Sequence, residues 1–380
     1  MITAFVNGLL PSATGLAAGL AVLCEGGKIA RLTAAGAVPQ GADVVDLKGG
    51  VLLPGFIDVQ VNGGGGVLFN ETPTVEGIAA IGKAHARFGT TGFLPTIISE
   101  DLEAIAKAVA AVDEAIATGV PGVLGIHIEG PYLSPARRGI HNPGKFPAFG
   151  SKALQVLSSL KRGKTLVTLA PDAVAAEDIA ALVATGVIVC IGHSDATYDE
   201  TQAALKAGAR GFTHLFNAMS PLGTRAPGVV GAALDDRQSW CGIIADGRHI
   251  HPATLRIAYA CRGPEKLMLV TDAMPPVGSE EKTFTLQGRT IRVENGVCLG
   301  PDGTLAGSAM DMAAILRHAV AILGIDLVTA SRLASGNAAQ FLGLASERGR
   351  IAEGARADFV LLDEKLEVRQ CWIAGAPLLP

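Results

Sequence analysis

The sequence predicts an α/β protein: a (β/α)8 TIM-like barrel with a small β-sandwich domain built from both chain ends. Three observations point there. Between residues 54 and 345, short apolar runs alternate with Ala-rich helical stretches. Several of those runs stop on a His, Asp or Glu. Both chain ends read differently, as short strands broken by turns.

Strands that alternate with helices imply βα units and a parallel sheet. Eight such units in roughly 290 residues suit a closed barrel. An open doubly wound sheet is the structural alternative. It is weakened because no G-x-G-x-x-G follows an early strand.

Residues 1–53 carry turn signals at Asn7-Gly8, Glu25-Gly26-Gly27 and Lys48-Gly49-Gly50. Near the other end, Arg350–Gly354 reads as a turn and Ala357–Asp363 as a strand. Segments 1–53 and 346–380 are therefore expected to pair as one β domain, since chain termini often lie close together. Within 54–345 the expected strands are Gly122–Glu129, Val187–His193, Gly211–His214 and Lys266–Asp272. The expected helices are Leu102–Thr118, Ala175–Thr185, Asp199–Ala207 and Met312–Leu323. Gly300–Gly303 reads as a turn before Leu305–Ser308.

Composition bounds the function. Of 380 residues, 49% are hydrophobic and 17% charged, so a large core is available and disorder is disfavoured. The net charge is −4 with no Lys/Arg cluster, which argues against nucleic acid. The six cysteines are scattered without a C-x-x-C pair, as in a protein kept reduced in the cytoplasm. The first basic residue is Lys28, which disfavours a signal peptide. The apolar run Ile179–Gly192 reads as helix end, turn and buried strand, not as a membrane span.

Barrel active sites lie at the C-terminal ends of the strands. Four residues close apolar runs and so become the candidates: Glu129, His193, His214 and Asp272. Strand alternation puts His127 on the face of Glu129. A buried carboxylate needs a proton, a counter-ion or a metal. Two histidines and a glutamate make a three-ligand set that leaves a position open for water. Asp272, from a different strand, can take a proton from such a water. Singly, each of these is an ordinary structural residue; together at strand tips they point to a catalytic metal site. His127 is expected to orient a ligand. His85 and His318, in helical stretches beside basic residues, are expected at the surface. Arg137–Gly144, Asn217–Pro221, Arg225 and Asp246–His251 read either as ligand loops or as ordinary solvated loops.

These residues sit in longer segments: LPGFIDVQVNGGGG (53–66), GIHIEGPYLS (125–134), RRGIHNPGK (137–145), IGHSDA (191–196), FTHLFNAMSP (212–221), ADGRHIHP (245–252), VTDAMP (270–275) and LAGSAM (305–310). In this order the set resembles the N-acetylglucosamine-6-phosphate deacetylases of the amidohydrolase superfamily, across almost the whole chain. GRIAEGARADFVLLD (349–363) resembles the closing segment of the wider superfamily.

The resemblance implies hydrolysis of the acetamido group of N-acetyl-D-glucosamine 6-phosphate to acetate and D-glucosamine 6-phosphate. It implies that Glu129, His193 and His214 hold one divalent metal per subunit, zinc first, with iron, cobalt or manganese as alternatives. Asp272 is then the general base and acid, and His141 polarises the amide carbonyl. Ile140, Asn217, Ala218, Asp246, Leu305, Ala306 and Gly307 meet the substrate. Arg225 and His249 contact the phosphate, reaching across a homodimer with shared active sites. The only partner implied is this small amino-sugar phosphate, with no nucleic acid or membrane. One departure stands out. Most amidohydrolases end the first barrel strand in His-x-His, which binds a second metal. Here that place is read as Asp58-Val59-Gln60, and a Gln amide is a weak ligand. The missing histidines also disfavour a dihydroorotase or D-aminoacylase. A silent barrel used for assembly is disfavoured because the four strand-end residues are intact.

Overall fold

Parallel strands covered by helices bury both faces, so they are apolar along their length. The computed structural model, which describes residues 1–378, follows that rule. Residues 379–380 of the expected 346–380 segment lie outside the described residues. Eight parallel strands form one sheet in sequential order. They are β1 (Phe56–Val61), β2 (Thr90–Ile98), β3 (Gly125–Glu129), β4 (Lys164–Leu169), β5 (Ile188–Ile191), β6 (Gly211–Phe212), β7 (Trp240–Ile243) and β8 (Leu267–Leu269). Nearly every strand residue is buried.

Eight helices cover the outside: α1 (Val75–Ala86), α2 (Leu102–Ala117), α3 (Ser151–Leu157), α4 (Ala176–Ala184), α5 (Tyr198–Lys206), α6 (Gly228–Asp235), α7 (Pro252–Arg262) and α8 (Met312–Leu323). Their starts follow local chemistry. Thr197 and Glu200 form a reciprocal capping box on α5, and the Asp311 carboxylate accepts from Ala314 N on α8. Helix α2 buries Ile105, Ala108, Val109, Val112 and Ala115, the spacing of an apolar stripe against the sheet.

The barrel closes at a seam between β1 and β8 with no regular ladder. At the C-terminal rim, Asn62 N and Gly63 N both donate to Ala273 O, at 2.9 and 3.0 Å. At the opposite end, a π-helical turn, Arg332–Gly336, wedges into the gap. Ser335 Oγ donates to Gly55 O at 2.6 Å. Asn337 Nδ2 donates to Leu267 O at 2.6 Å and to Pro264 O at 2.7 Å. Side chains thus satisfy backbone carbonyls that strand pairing leaves open.

Both chain ends contribute to two four-stranded sheets that face each other. One contains Thr3–Val6, Leu20–Glu25, Lys28–Ala34 and Asp43–Asp46; the other contains Val51–Pro54, Phe359–Leu362, Val368–Ile373 and Ala376–Leu378. Phe5 packs edge-on against Phe359 and Trp372, each at 5.2 Å between ring centroids.

Two features depart from the sequence reading. A four-stranded antiparallel meander stands between β8 and α8, formed by Thr283–Leu286, Arg289–Glu294, Val297–Leu299 and Leu305–Ser308. Its hairpin turns carry Gln287-Gly288 and Asn295-Gly296, all at positive φ. His85 is not at the surface. It is fully buried, with Nε2 at 2.9 Å from Gly63 O, and burial lowers its pKa to about 4. His318 is exposed as expected.

The wedge yields a test. Asn337→Ala leaves the Pro264 and Leu267 carbonyls without their partner, and each uncompensated buried group costs about 1–3 kcal/mol. Denaturant unfolding should give a lower midpoint for this variant. A midpoint equal to that of the wild type would remove the wedge from the account of closure.

Candidate active site

At the C-terminal rim the chain leaves three strands through strained backbone. His193, His214 and Asp272 adopt φ of 47°, 33° and 50°. Left-handed conformations are uncommon for residues other than glycine and cost of the order of 1–3 kcal/mol at such sites. Here they follow β5, β6 and β8 and accompany side chains that converge, with Glu129 at the end of β3, on one cleft of about 320 Å³.

Glu129, His193 and His214 offer ligand atoms that all lie within 4.8 Å of one another, and all three residues are buried. Glu129 Oε1 is 2.9 Å from His214 Nε2 and 3.3 Å from His193 Nε2. His193 Nδ1 is 2.9 Å from Arg137 O. That carbonyl can only accept, so Nδ1 carries the proton and Nε2 keeps its lone pair. Gly139, at φ 55°, lets the loop pass close by, because a Cβ there would lie 3.2 Å from His193 Cε1. Burial alone would raise the Glu129 pKa, yet the adjacent His193 and His214 imidazoles hold it well below the ordinary value. Burial alone would lower that of His214, yet Glu129 raises it. The pocket is built to keep Glu129 ionised next to positive charge. Two imidazoles and one carboxylate suit a divalent transition metal, with a coordination position left over.

Asp272 is held by amides. Asn62 Nδ2 donates to its Oδ1 at 2.6 Å, and Gln60 Nε2 does so at 3.2 Å. Gln60 Nε2 also lies 3.2 and 3.1 Å from the two oxygens of Glu129. Burial, then the Glu129 charge, raises the Asp272 pKa to about 6. His141 also lines the cleft. Its Nδ1 lies 2.7 Å from Ser99 Oγ and 3.4 Å from Ser99 N. A backbone N–H can only donate, so His141 carries its proton on Nε2. Burial, then His193, holds its pKa well below the ordinary value, so the ring is neutral.

Ile140, Asn217, Ala218, His249, Leu305 and Gly307 line the cleft as the sequence suggests. Others sit elsewhere. Ala306 turns into the apolar cluster of the meander, as strand alternation requires. Asp246 does not face the cleft; its Oδ2 is 2.6 Å from His249 Nδ1 and orients that ring. His249 Nε2 is buried without a protein partner. Arg225 is exposed on the loop before α6 and does not reach this chain's cleft. His127 is not hydrogen-bonded to a ligand residue: its Nε2 is 2.8 Å from Thr168 Oγ1 and its Nδ1 3.4 Å from Thr96 Oγ1.

The first-strand pair also needs correction. Gln60 faces the two carboxylates, but Asp58 does not. Asp58 turns into the seam, 2.5 Å from Thr271 Oγ1. The second residue at the site is Asn62. Both Asn62 and Ser99 follow the last residues of barrel strands, so the rule that selects Glu129 also reaches them.

Residues 51–377 match the Amidohydrolase family. The N-acetylgalactosamine-6-phosphate deacetylase of Shewanella sp. (strain ANA-3) is 45% identical over 330 residues, 87% of this chain and 83% of that protein. A crystal structure of N-acetylglucosamine-6-phosphate deacetylase from Pasteurella multocida is similar with a TM-score of 0.96, at 35% identity and 99% coverage of each chain. A Mycobacterium smegmatis N-acetyl-D-glucosamine-6-phosphate deacetylase variant, in complex with N-acetyl-D-glucosamine-6-phosphate, is similar with a TM-score of 0.91, at 34% identity over 100% of this chain and 99% of that one.

The ligand geometry yields a prediction. Titration with Zn²⁺ after chelator treatment should saturate near one ion per chain. His193→Ala should abolish the tight site. Two tightly held ions per native chain would overturn the reading of Gln60 and Asn62 as amides that take no metal.

Proposed function

The chain belongs to the amidohydrolase family, and we propose that it hydrolyses the acetamido group of N-acetyl-D-glucosamine 6-phosphate, giving D-glucosamine 6-phosphate and acetate. One observation carries this reading: Glu129, His193, His214, His141 and Asp272 come from separate parts of the barrel yet line one cleft. Relatives named as deacetylases of acetylated hexosamine 6-phosphates support it over most of the chain.

Glu129, His193 and His214 would hold one divalent ion per subunit, zinc first, with iron, cobalt or manganese as alternatives. Bound there, such an ion supplies Lewis acidity to the acetyl carbonyl and to the attacking water. Asp272 takes the proton from that water. Asn62 and Gln60 both occupy Oδ1, which leaves Oδ2 as the accepting atom. His141 donates its Nε2 proton to the carbonyl oxygen as negative charge grows there. A donor of this kind is worth about 3 kcal/mol. Asp272 then passes its proton to the departing amine.

His249 Nε2 has no protein partner, since Asp246 occupies the other ring nitrogen, and it is left to contact the sugar hydroxyls or the 6-phosphate. Arg225 is the second phosphate contact. Its exposure away from its own cleft supports delivery to a neighbour's cleft in a homodimer. Among the described residues no helix is long and apolar enough to cross a membrane. The six free cysteines support a reducing, cytoplasmic setting. Segments 1–53 and 346–380 act as a separate β domain beside the 54–345 barrel.

Asp272→Asn keeps the size and loses the proton acceptor. Its kcat should fall by at least about 100-fold with metal content unchanged. Near-normal turnover would move the base role to another group.

Arg225→Ala and His249→Ala should each weaken action on phosphorylated substrate far more than on free N-acetylglucosamine, because charge-assisted hydrogen bonds to phosphate are lost. Mixing Arg225→Ala chains with Asp272→Asn chains tests the shared site. If Arg225 serves its neighbour, one of the two clefts in a mixed dimer is intact and activity recovers. No recovery, with subunit exchange verified, would confine Arg225 to its own chain.

A further inference from the structure

Asp58 is a buried acidic side chain in the barrel seam that the chemistry above leaves unused. It is fully buried, and among the described residues it makes no salt bridge. Its two oxygens take three donors, all from the segments that carry Gln60 and Asp272. Oδ2 accepts the Thr271 hydroxyl at 2.5 Å. Oδ1 accepts Gln60 N–H at 3.1 Å and Thr271 N–H at 3.4 Å. Thr271 Oγ1 in turn accepts Ala273 N–H at 3.1 Å. The relay therefore grips the chain on both sides of Asp272, the residue held at φ 50°. From the other side, Ser308 N donates to Asp272 O at 2.9 Å and Ser308 Oγ to Thr271 O at 2.6 Å.

We infer that Asp58 is a positioning residue for Asp272, acting through Thr271 and the Gln60 backbone. This rests on reading Asp272 as the proton acceptor. A buried carboxylate without a cation is expensive to keep, and its hydrogen bonds must compensate it. Only a carboxylate presents acceptors on both oxygens to three donors. An Asn here exchanges one acceptor for a donor, whose NH2 either collides with the two N–H groups at Oδ1 or faces the Thr271 hydroxyl at Oδ2 and forces it to turn. The Asp272 turn is then free to relax from its left-handed conformation. Misplacement of a catalytic group by about 1 Å can cost about 100-fold in rate.

The test compares Asp58→Asn, Thr271→Val and Thr271→Ser in the metal-loaded enzyme. Asp58→Asn and Thr271→Val should each lower kcat by at least about 10-fold, with KM and metal stoichiometry unchanged. Thr271→Ser keeps the hydroxyl and should stay within about twofold of wild type. In an Asp272→Asn background, Asp58→Asn should lower the residual rate no further, because residues that act as one unit are non-additive. Should Asp58→Asn not fold, Thr271→Val and Thr271→Ser carry the comparison alone. Wild-type kcat in Thr271→Val with only a lower unfolding temperature would make the relay merely structural and overturn the inference. So would an equal fractional loss from Asp58→Asn in the wild-type and Asp272→Asn backgrounds. An Asp272→Asn enzyme with normal turnover would overturn the base assignment instead, which is a separate outcome.

Discussion

Everything at the cleft depends on how the first and last barrel strands meet. Ala273 O receives two backbone donors from Asn62 and Gly63, and that junction is where the cylinder shuts. It also brings Asn62 and Asp272, 210 residues apart in the chain, to 2.6 Å. The geometry of the Asp272 carboxylate is thus set by barrel closure.

The second constraint is electrostatic. Glu129 is buried and Asp272 half-buried, close enough that the Glu129 charge helps raise the Asp272 pKa, and like charges in one pocket resist joint ionisation. The fold answers with donors of graded strength. Imidazoles face Glu129, so it stays ionised; neutral amides face Asp272, which leaves it ready to gain a proton. Gln60 touches both carboxylates and so sits at the balance point.

Much of this was legible in the sequence, for identifiable reasons. Helices α2, α4, α5 and α8 match the Ala-rich segments within a residue or two, because their apolar spacing is helical and α5 and α8 add polar caps. Glu129, His193, His214 and Asp272 were legible because polar residues rarely close apolar runs without cause. Asn62 and Ser99 obey the same rule but carry neutral side chains, which attract less notice. The meander after β8 hid behind polar alternation, although Asn295-Gly296 marks one of its turns. His85 was misjudged because basic neighbours suggest a wet face, whereas its ring fills the space under Gly63. Arg225 was read as a site residue from its segment alone, and it lies exposed outside its own chain's cleft.

The interleaving of the two chain ends also has a consequence for biogenesis. Val51–Pro54 pairs with Phe359–Leu362, strands separated by roughly 300 residues. As a nascent chain emerges, the barrel strands can gather in order, each beside the one before it. The amino-terminal sheet has no such option. Phe5 waits for Phe359 and Trp372 until more than 350 further residues have been made. Throughout synthesis an apolar sheet face stands open to solvent, at a stage when sticky surfaces attract chaperones or each other. The late strands of this fold are therefore the ones that cover the early ones.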